Sequence, residues 1–177
     1  MDRQPVLEGE TLLLRPLREE DWAALYRVAG DPRVWEQHPI HDRWREPVFA
    51  AFFAEALAEG GALVAIERAS GEVIGSSQFR DLRETDGGSV EIGWTFLGPN
   101  HWGGRFNPEM KRLMLDHAFS SVARVRFRVG EYNRRSRIAV ERLGARLTEE
   151  VEQGEYRGTL LVHVVYALGR EDWQRGG

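Results

Sequence analysis

Apolar residues along the chain fall into strand-like runs and helix-like stripes. The first half predicts a strand over residues 11–15, a helix over 19–29 and a second helix over 47–59. Three strand-like runs follow without a helical break, over residues 62–68, 73–82 and 89–97. Short turns containing glycine separate these runs, so we expect an antiparallel meander.

The second half changes to a βαβ pattern. It predicts a glycine-rich loop over residues 98–107, a helix over 108–121 and a strand over 124–129. A second helix over 133–143 and two closing strands over 146–151 and 159–168 follow. No repeat or linker interrupts this order. We therefore expect a single α+β domain over residues 1–177, with its core at 7–168 and a short tail at 169–177.

Composition and charge narrow the classes of protein. A chain of 177 residues with 42% hydrophobic and 29% charged residues is typical of a folded globular protein. The absence of cysteine excludes disulfides, thiolate metal sites and a cysteine nucleophile. A net charge of −4 argues against nucleic acid or anionic lipid as partners. No apolar run reaches the roughly 20 residues of a membrane helix, and Met1–Pro5 has no apolar signal core, so we expect a cytoplasmic protein.

The segment with the most distinctive chemistry joins a strand to a helix. Ile92–Leu97 leads into the glycine pair Gly103 and Gly104, after which Asn107–Glu109 opens a helix. Such a junction directs several backbone N–H groups and the positive end of the helix dipole toward one point, which suits a phosphate group. A simple tight loop is the alternative. The Gly-Lys-Ser/Thr ending of a nucleoside-triphosphatase loop is missing, and no run of parallel strands precedes the turn as a dinucleotide fold requires.

The order of these motifs resembles the GNAT acyltransferase superfamily, and within it the RimJ/RimL ribosomal-protein acetyltransferase branch, over roughly residues 7–168. The resemblance rests on four sequence blocks, Leu12–Arg18, Val90–Trp94, Trp102–Glu109 and Asn133–Ala145. It implies the α/β three-layer GNAT fold, with a mixed, mostly antiparallel seven-stranded sheet and about four helices. The sheet would be splayed where acetyl-coenzyme A (acetyl-CoA) binds.

The resemblance also implies which residues contact the coenzyme. Backbone amides of the turn would hold the pyrophosphate, and the Asn133 block would face the pantetheine arm and thiol. The complete set of expected coenzyme contacts is Trp94, Thr95, Phe96, Trp102, Gly103, Gly104, Arg105, Phe106, Asn107, Asn133, Arg135 and Ser136. Arg105 departs from the family, which usually has glycine or alanine there. Its side chain either crowds the phosphate or turns outward to bind it.

The catalytic candidates are Glu91, Ser136 and Asn133. Glu91 is the candidate base, acting through a water, with a solvated carboxylate paired to an arginine as the alternative. The family's usual tyrosine acid is replaced by Val140, so the resemblance assigns protonation of the thiolate to Ser136. A backbone N–H near Trp94 or Thr95, where the family carries a bulge, would bind the oxyanion.

Trp35, Trp44 and Phe79 are the candidates for lining the acceptor groove, with plain packing as the alternative. The acceptor would be a small-molecule amine or a protein N-terminus. His38 and His41 lack a supporting metal signature, and we expect no metal. Two alternative functions stay open: a non-catalytic acyl-CoA-binding or sensing module, and an acyltransferase with a different donor such as succinyl-CoA. Exposed edge strands of this fold often pair, which would give a homodimer.

Overall fold

The computed structural model describes residues 1–176 and contains one sheet flanked by helices. The strands are β1 Leu7–Glu8, β2 Leu12–Pro16, β3 Ala62–Glu67, β4 Val73–Arg83, β5 Ser89–Leu97, β6 Arg124–Gly130, β7 Arg146–Tyr156 and β8 Thr159–Gly169. The α-helices are α1 Trp22–Ala29, α2 Glu46–Glu59, α3 Phe106–Phe119, α4 Arg134–Arg142 and α5 Arg170–Gly176. Short 3₁₀ turns occupy Glu19–Asp21, Pro32–Trp35, Thr85–Gly87 and Pro99–His101.

The strands are ordered β1-β2-β3-β4-β5-β6-β8-β7 across the sheet. Only β5 and β6 run parallel, and their pairing covers three residue pairs, from Ser89 with Arg124 to Glu91 with Arg126. Both strands continue beyond that point without pairing, to Leu97 and Gly130. The sheet therefore opens into a wedge between them, which confirms the expected mixed, mostly antiparallel and splayed sheet.

Each face of the sheet carries its own hydrophobic core. Helices α1 and α2 cover one face through an aromatic cluster that includes Trp35, Phe49, Phe52, Phe53 and Phe96. Helices α3 and α4 cover the other face, where buried residues of the sheet pack against Met110, Met114, Leu115, Ala118 and Val140. We call these the α2 face and the α3 face.

The observed elements differ from the predicted ones at their ends and in their number. The sheet has eight strands because two-residue β1 pairs with β2, and the expected tail forms α5. Helix α3 begins at Phe106, two residues before the expected start at Pro108. Proline is tolerated there because the first helical turn needs no N–H donor. Strand β7 extends to Tyr156 because its hairpin partner β8 continues the ladder beyond Val151.

Strand β5 contains a β-bulge that changes which side chains face each core. Gln78 pairs with Gly93 while Ser76 pairs with Phe96, so β5 has one more residue than β4 in this interval. Trp94 takes the left-handed conformation, with φ of 51°. The extra residue resets the alternation. Trp94 and Phe96 contact residues of the α2 face, and the Thr95 side chain contacts α3.

Candidate active site

A cavity of about 570 Å³ occupies the wedge between β5 and β6. Its walls come from β5, β6, β8, the turn before α3, the first two turns of α3, helix α4 and the segment after α1. The volume lies within the range of roughly 300–1,000 Å³ typical of small-molecule sites. Ten of the expected coenzyme contacts line it, namely Trp94, Thr95, Phe96, Trp102, Gly103, Gly104, Asn107, Asn133, Arg135 and Ser136.

The turn into α3 forms one end of the cavity. Gly103 has φ of 69°, and no atom lies within 4 Å of the position that a Cβ would take there or at Gly104. Helix α3 starts at Phe106, and the N–H groups of its first residues have no partner within the helix. The turn thus presents an open glycine surface and helix N–H groups beside each other, an arrangement that suits an anionic group.

Arg105 does not close this turn. Its φ of −78° is helical, so the residue has no need of glycine-like conformations. The side chain extends over the Phe106 ring and lines a separate depression with Thr11 and Arg68. Neither Arg105 nor Phe106 lines the main cavity.

Helix α4 forms a second wall. The Asn133 side chain caps this helix by accepting a hydrogen bond from the Ser136 N–H at 3.2 Å, and both residues line the cavity. The Arg135 guanidinium lies 3.8 Å from the centroid of the Trp102 ring, and both residues line the cavity. Val140, buried in the same wall, offers no proton to a ligand.

Glu91 points away from Ile92, as the alternation predicts, and lies on the α2 face. It is 4% exposed and does not line the cavity. An oxygen of Glu91 lies 3.3 Å from Nε of Arg128, which is itself bound to Glu152. Burial raises the pKa of Glu91, while Arg128 opposes that shift. The carboxylate is therefore paired with an arginine, as the alternative interpretation held, although it is buried rather than solvated.

The end of the cavity on the α2 face is aromatic and basic. Two guanidinium groups lie near Trp94, with Arg80 4.1 Å and Arg128 5.2 Å from the centroid of its ring. His38 and His163 also line this end. Burial is the main cause that lowers the pKa of both histidines, and nearby arginines lower it further. This environment disfavours the protonated form of both imidazoles.

Of the three aromatic residues expected to line an acceptor groove, only Trp35 reaches the cavity. The expectation for Phe79 is wrong: its side chain is fully buried on the α3 face, 5.8 Å from the ring of His117. Strand alternation explains this, because its neighbours Gln78 and Arg80 take the α2 face. Trp44 packs beside the aromatic core of α1 and α2 and lies outside the cavity lining.

Sequence reasoning missed Lys111, which lies in the cavity wall. Lys111 is 5% exposed, and its Nζ donates to Oγ1 of Thr95 at 2.5 Å and to Oγ of Ser77 at 3.3 Å. A signal was present: at helical spacing, Lys111 falls on the same stripe as Met114, Leu115 and Ala118. No comparable signal marks His163, whose place depends on the β8 register.

The fold and the wedge-shaped site agree with a family match. Residues 11–146 match the Acetyltransferase (GNAT) domain family. This chain belongs to the GNAT acetyltransferase family and is a GNAT-family enzyme.

Individual relatives support the same family. The chain is 31% identical over 121 residues to the uncharacterized N-acetyltransferase p20 of Bacillus licheniformis, covering 66% of this chain and 67% of that protein. A putative acetyltransferase from T. thermophilus is 30% identical, with a TM-score of 0.78 over 96% of this chain and 92% of that one. Mycobacterium smegmatis RimJ in complex with CoA-disulfide has a TM-score of 0.72 at 22% identity, covering 91% of this chain and 83% of that one. At that identity the likeness to RimJ shows the fold alone.

Among residues 1–176, no helix combines the length and apolar character that crossing a bilayer requires.

Proposed function

We propose that this enzyme transfers an acetyl group from acetyl-CoA to a primary amine, by direct attack of the amine within a ternary complex. Membership of the GNAT family supports acyl transfer, and the bound CoA-disulfide in the RimJ structure supports a coenzyme A donor. The RimJ/RimL branch is a further part of this proposal, and it rests on the sequence motifs alone.

The observation that carries the proposal is the arrangement of three features around one cavity. The open turn at Gly103 and the start of α3 suit a diphosphate, and Arg135 adds positive charge beside them. Asn133 and Ser136 line the next section of the wall. At the β-bulge, the Trp94 and Thr95 side chains point to opposite faces of the sheet. A coenzyme that spans this length would bring its thioester to the bulge.

Acetyl-CoA supplies a thioester whose carbonyl accepts the amine and whose sulfur leaves as a thiolate. At the bulge, backbone N–H groups near Trp94 and Thr95 would donate hydrogen bonds to the oxyanion. Ser136 would donate its hydroxyl proton toward the sulfur, because Val140 cannot. The Asn133 cap fixes the first turn of α4, which holds Ser136 in place.

The acceptor would approach from the end of the cavity lined by Trp35, His38 and His163. Glu91 remains our candidate base through a water, although its pairing with Arg128 weakens that role. A protein N-terminal amine, with a pKa near 8, is about 10% neutral at pH 7, whereas a lysine amine is only about 0.04% neutral. An α-amine or another weakly basic amine therefore needs the least help from a general base to lose its proton before attack.

Calorimetry and a thiol-release assay test the proposal together. The protein should bind CoA and acetyl-CoA, and acetyl-CoA with a panel of amines and N-terminal peptides should release free CoA. Binding without turnover on any amine would favour the acyl-CoA-binding alternative. Faster turnover with succinyl-CoA would change the donor, and failure to bind any CoA species would overturn the function.

A further inference from the structure

Lys111 is the one lysine of the chain, and its side chain is buried. It lies in the second turn of α3, where the cavity wall meets the sheet. Within the described chain, its hydrogen-bond partners are the hydroxyl groups of Thr95 and Ser77, and it forms no salt bridge with a carboxylate.

The β-bulge places Thr95 above this ammonium. Without the extra residue, alternation after Ile92 would turn the Thr95 side chain to the α2 face. With it, Thr95 Oγ1 faces α3 and also lies 2.8 Å from Ser77 Oγ. Thr95 lines the cavity as well, so its hydroxyl connects the ammonium to the cavity.

Among residues 1–176, no carboxylate on this face pairs with the ammonium, and the His117 imidazole, which lies against Phe79, is bound to the Asp2 carbonyl. The residues that β4, β5 and β6 turn toward α3 around it do not titrate: Ser77, Phe79, Ile92, Thr95, Phe127 and Val129. Glu91, Arg80, Arg126 and Arg128 belong to the opposite face. On α3 itself, Glu109 is bound to Thr11, and Arg112 and Asp116 are exposed. Arg135 and Arg142 of α4 line the cavity and add only positive charge.

A buried cation without a counter-ion is costly, because it loses its hydration and gains no opposite charge. Desolvation lowers the pKa of Lys111 from 10.5 to about 7. An anion that forms inside the cavity would offset this cost. During acyl transfer such charge appears twice, first on the thioester oxygen and then on the departing sulfur.

We propose that Lys111 is a positioning residue for the transfer step, supplying positive charge through the Thr95 hydroxyl to the negative charge that develops at the bulge. This inference rests on the proposed function. The amine nitrogen bonds to the carbonyl carbon, the C–S bond breaks with its electron pair on sulfur, and the proton lost by the amine ends on that sulfur. Lys111 keeps its own protons throughout.

The kinetic test compares Lys111→Met and Lys111→Arg with the parent across pH. Arg112→Met is the matched control, because it removes a positive charge from the adjacent, exposed position of α3. We expect Lys111→Met to lower the single-turnover rate by roughly tenfold to a hundredfold, since removing a direct oxyanion donor costs about 10²–10³. Affinity for CoA should stay within about twofold, and Arg112→Met should match the parent.

The pH profile separates this role from a merely structural one. In the parent, the rate should fall as pH rises through the pKa of Lys111, because only the ammonium carries charge. The decrease in rate at alkaline pH should disappear in Lys111→Met. Lys111→Arg should retain activity and should also lack the decrease, because arginine stays charged over this pH range. Thr95→Val should lower the rate as Lys111→Met does, and the double variant should be no slower than either.

A binding experiment distinguishes failure of this inference from failure of the proposed function. Since Lys111 is the one lysine, ¹³C-lysine labelling gives a single side-chain NMR signal whose titration can be followed. S-carboxymethyl-CoA, which carries a carboxylate near the sulfur, should raise the pKa of Lys111 more than S-ethyl-CoA does. If both ligands bind and the pKa of Lys111 is equal with each, the role of Lys111 is overturned while the proposed function stands. The same conclusion follows if Lys111→Met keeps the parental rate and pH profile. If neither ligand binds, the function and the inference fall together.

Discussion

Replacing Lys111 by methionine should make the protein more stable at slightly acidic pH. The variant removes the buried ammonium and keeps an unbranched side chain in the apolar stripe beside Met110 and Met114. The Thr95 and Ser77 hydroxyls stay satisfied because they lie 2.8 Å from each other. The substitution therefore leaves no new unpaired polar group.

The magnitude follows from the pKa. A decrease from 10.5 to about 7 corresponds to a cost of about 5 kcal/mol, at about 1.4 kcal/mol per pH unit, when the amine is charged. The lost hydrogen bonds from the ammonium offset about 2–4 kcal/mol of this gain, because the 2.5 Å bond to Thr95 is worth about 1.5–3 kcal/mol and the longer 3.3 Å bond to Ser77 is worth less. We expect Lys111→Met to raise the free energy of unfolding by roughly 1–3 kcal/mol at about pH 6.

The pH dependence has a definite sign. Because the pKa of Lys111 is lower in the folded state, the unfolded state binds more protons between about pH 7 and 10.5. The stability of the parent therefore rises with pH in this range, and the advantage of the variant shrinks. Urea denaturation of both proteins at about pH 6 and about pH 9 measures the difference. A variant less stable than the parent at the lower pH, or a difference that pH does not change, would refute the reasoning.

Three further predictions concern the cavity walls. Gly103→Ala should cost about 1 kcal/mol because its φ is 69°, whereas Gly104→Ala should be nearly neutral, and thermal denaturation compares the two. Arg135→Ala should weaken CoA binding several-fold by calorimetry, whereas Arg134→Ala, which lies outside the cavity lining, should not. Equal losses of affinity in the two variants would contradict a specific role for Arg135. Ser136→Ala should slow turnover more than it weakens CoA binding, and parental rates would remove Ser136 from the mechanism.

Much of the fold could be predicted because local chemistry determined it. The meander of β3, β4 and β5 followed from apolar runs between glycine turns, and the end of α4 followed from Gly144, which has φ of 88°. The start of α3 was missed by two residues because Pro108 is compatible with several positions of a first turn.

Details of the site depended on contacts that no local pattern records. A single inserted residue in β5 directs Trp94 and Thr95 to opposite faces. The family resemblance implied a bulge near these residues, but the residues Gly-Trp-Thr-Phe do not themselves reveal it. Phe79 was misplaced because alternation predicts which residues share a face but not which face the cavity opens on. The sequence shows Lys111 as a charged residue within an apolar helical stripe. Its hydroxyl partners Thr95 and Ser77, however, lie 16 and 34 residues earlier in the chain, on strands whose register no local pattern predicts.

The two edges of the sheet have a consequence for self-association. At one end β1 is only two residues long, and at the other β7 carries Glu149, Glu150, Glu152 and Glu155 within eleven residues. Glu150 and Glu152 are already paired with Arg126 and Arg128, so Glu149 and Glu155 are the β7 carboxylates that would oppose two-fold pairing through this strand. A very short strand at one edge and carboxylates at the other disfavour continuous edge-to-edge addition of further sheets.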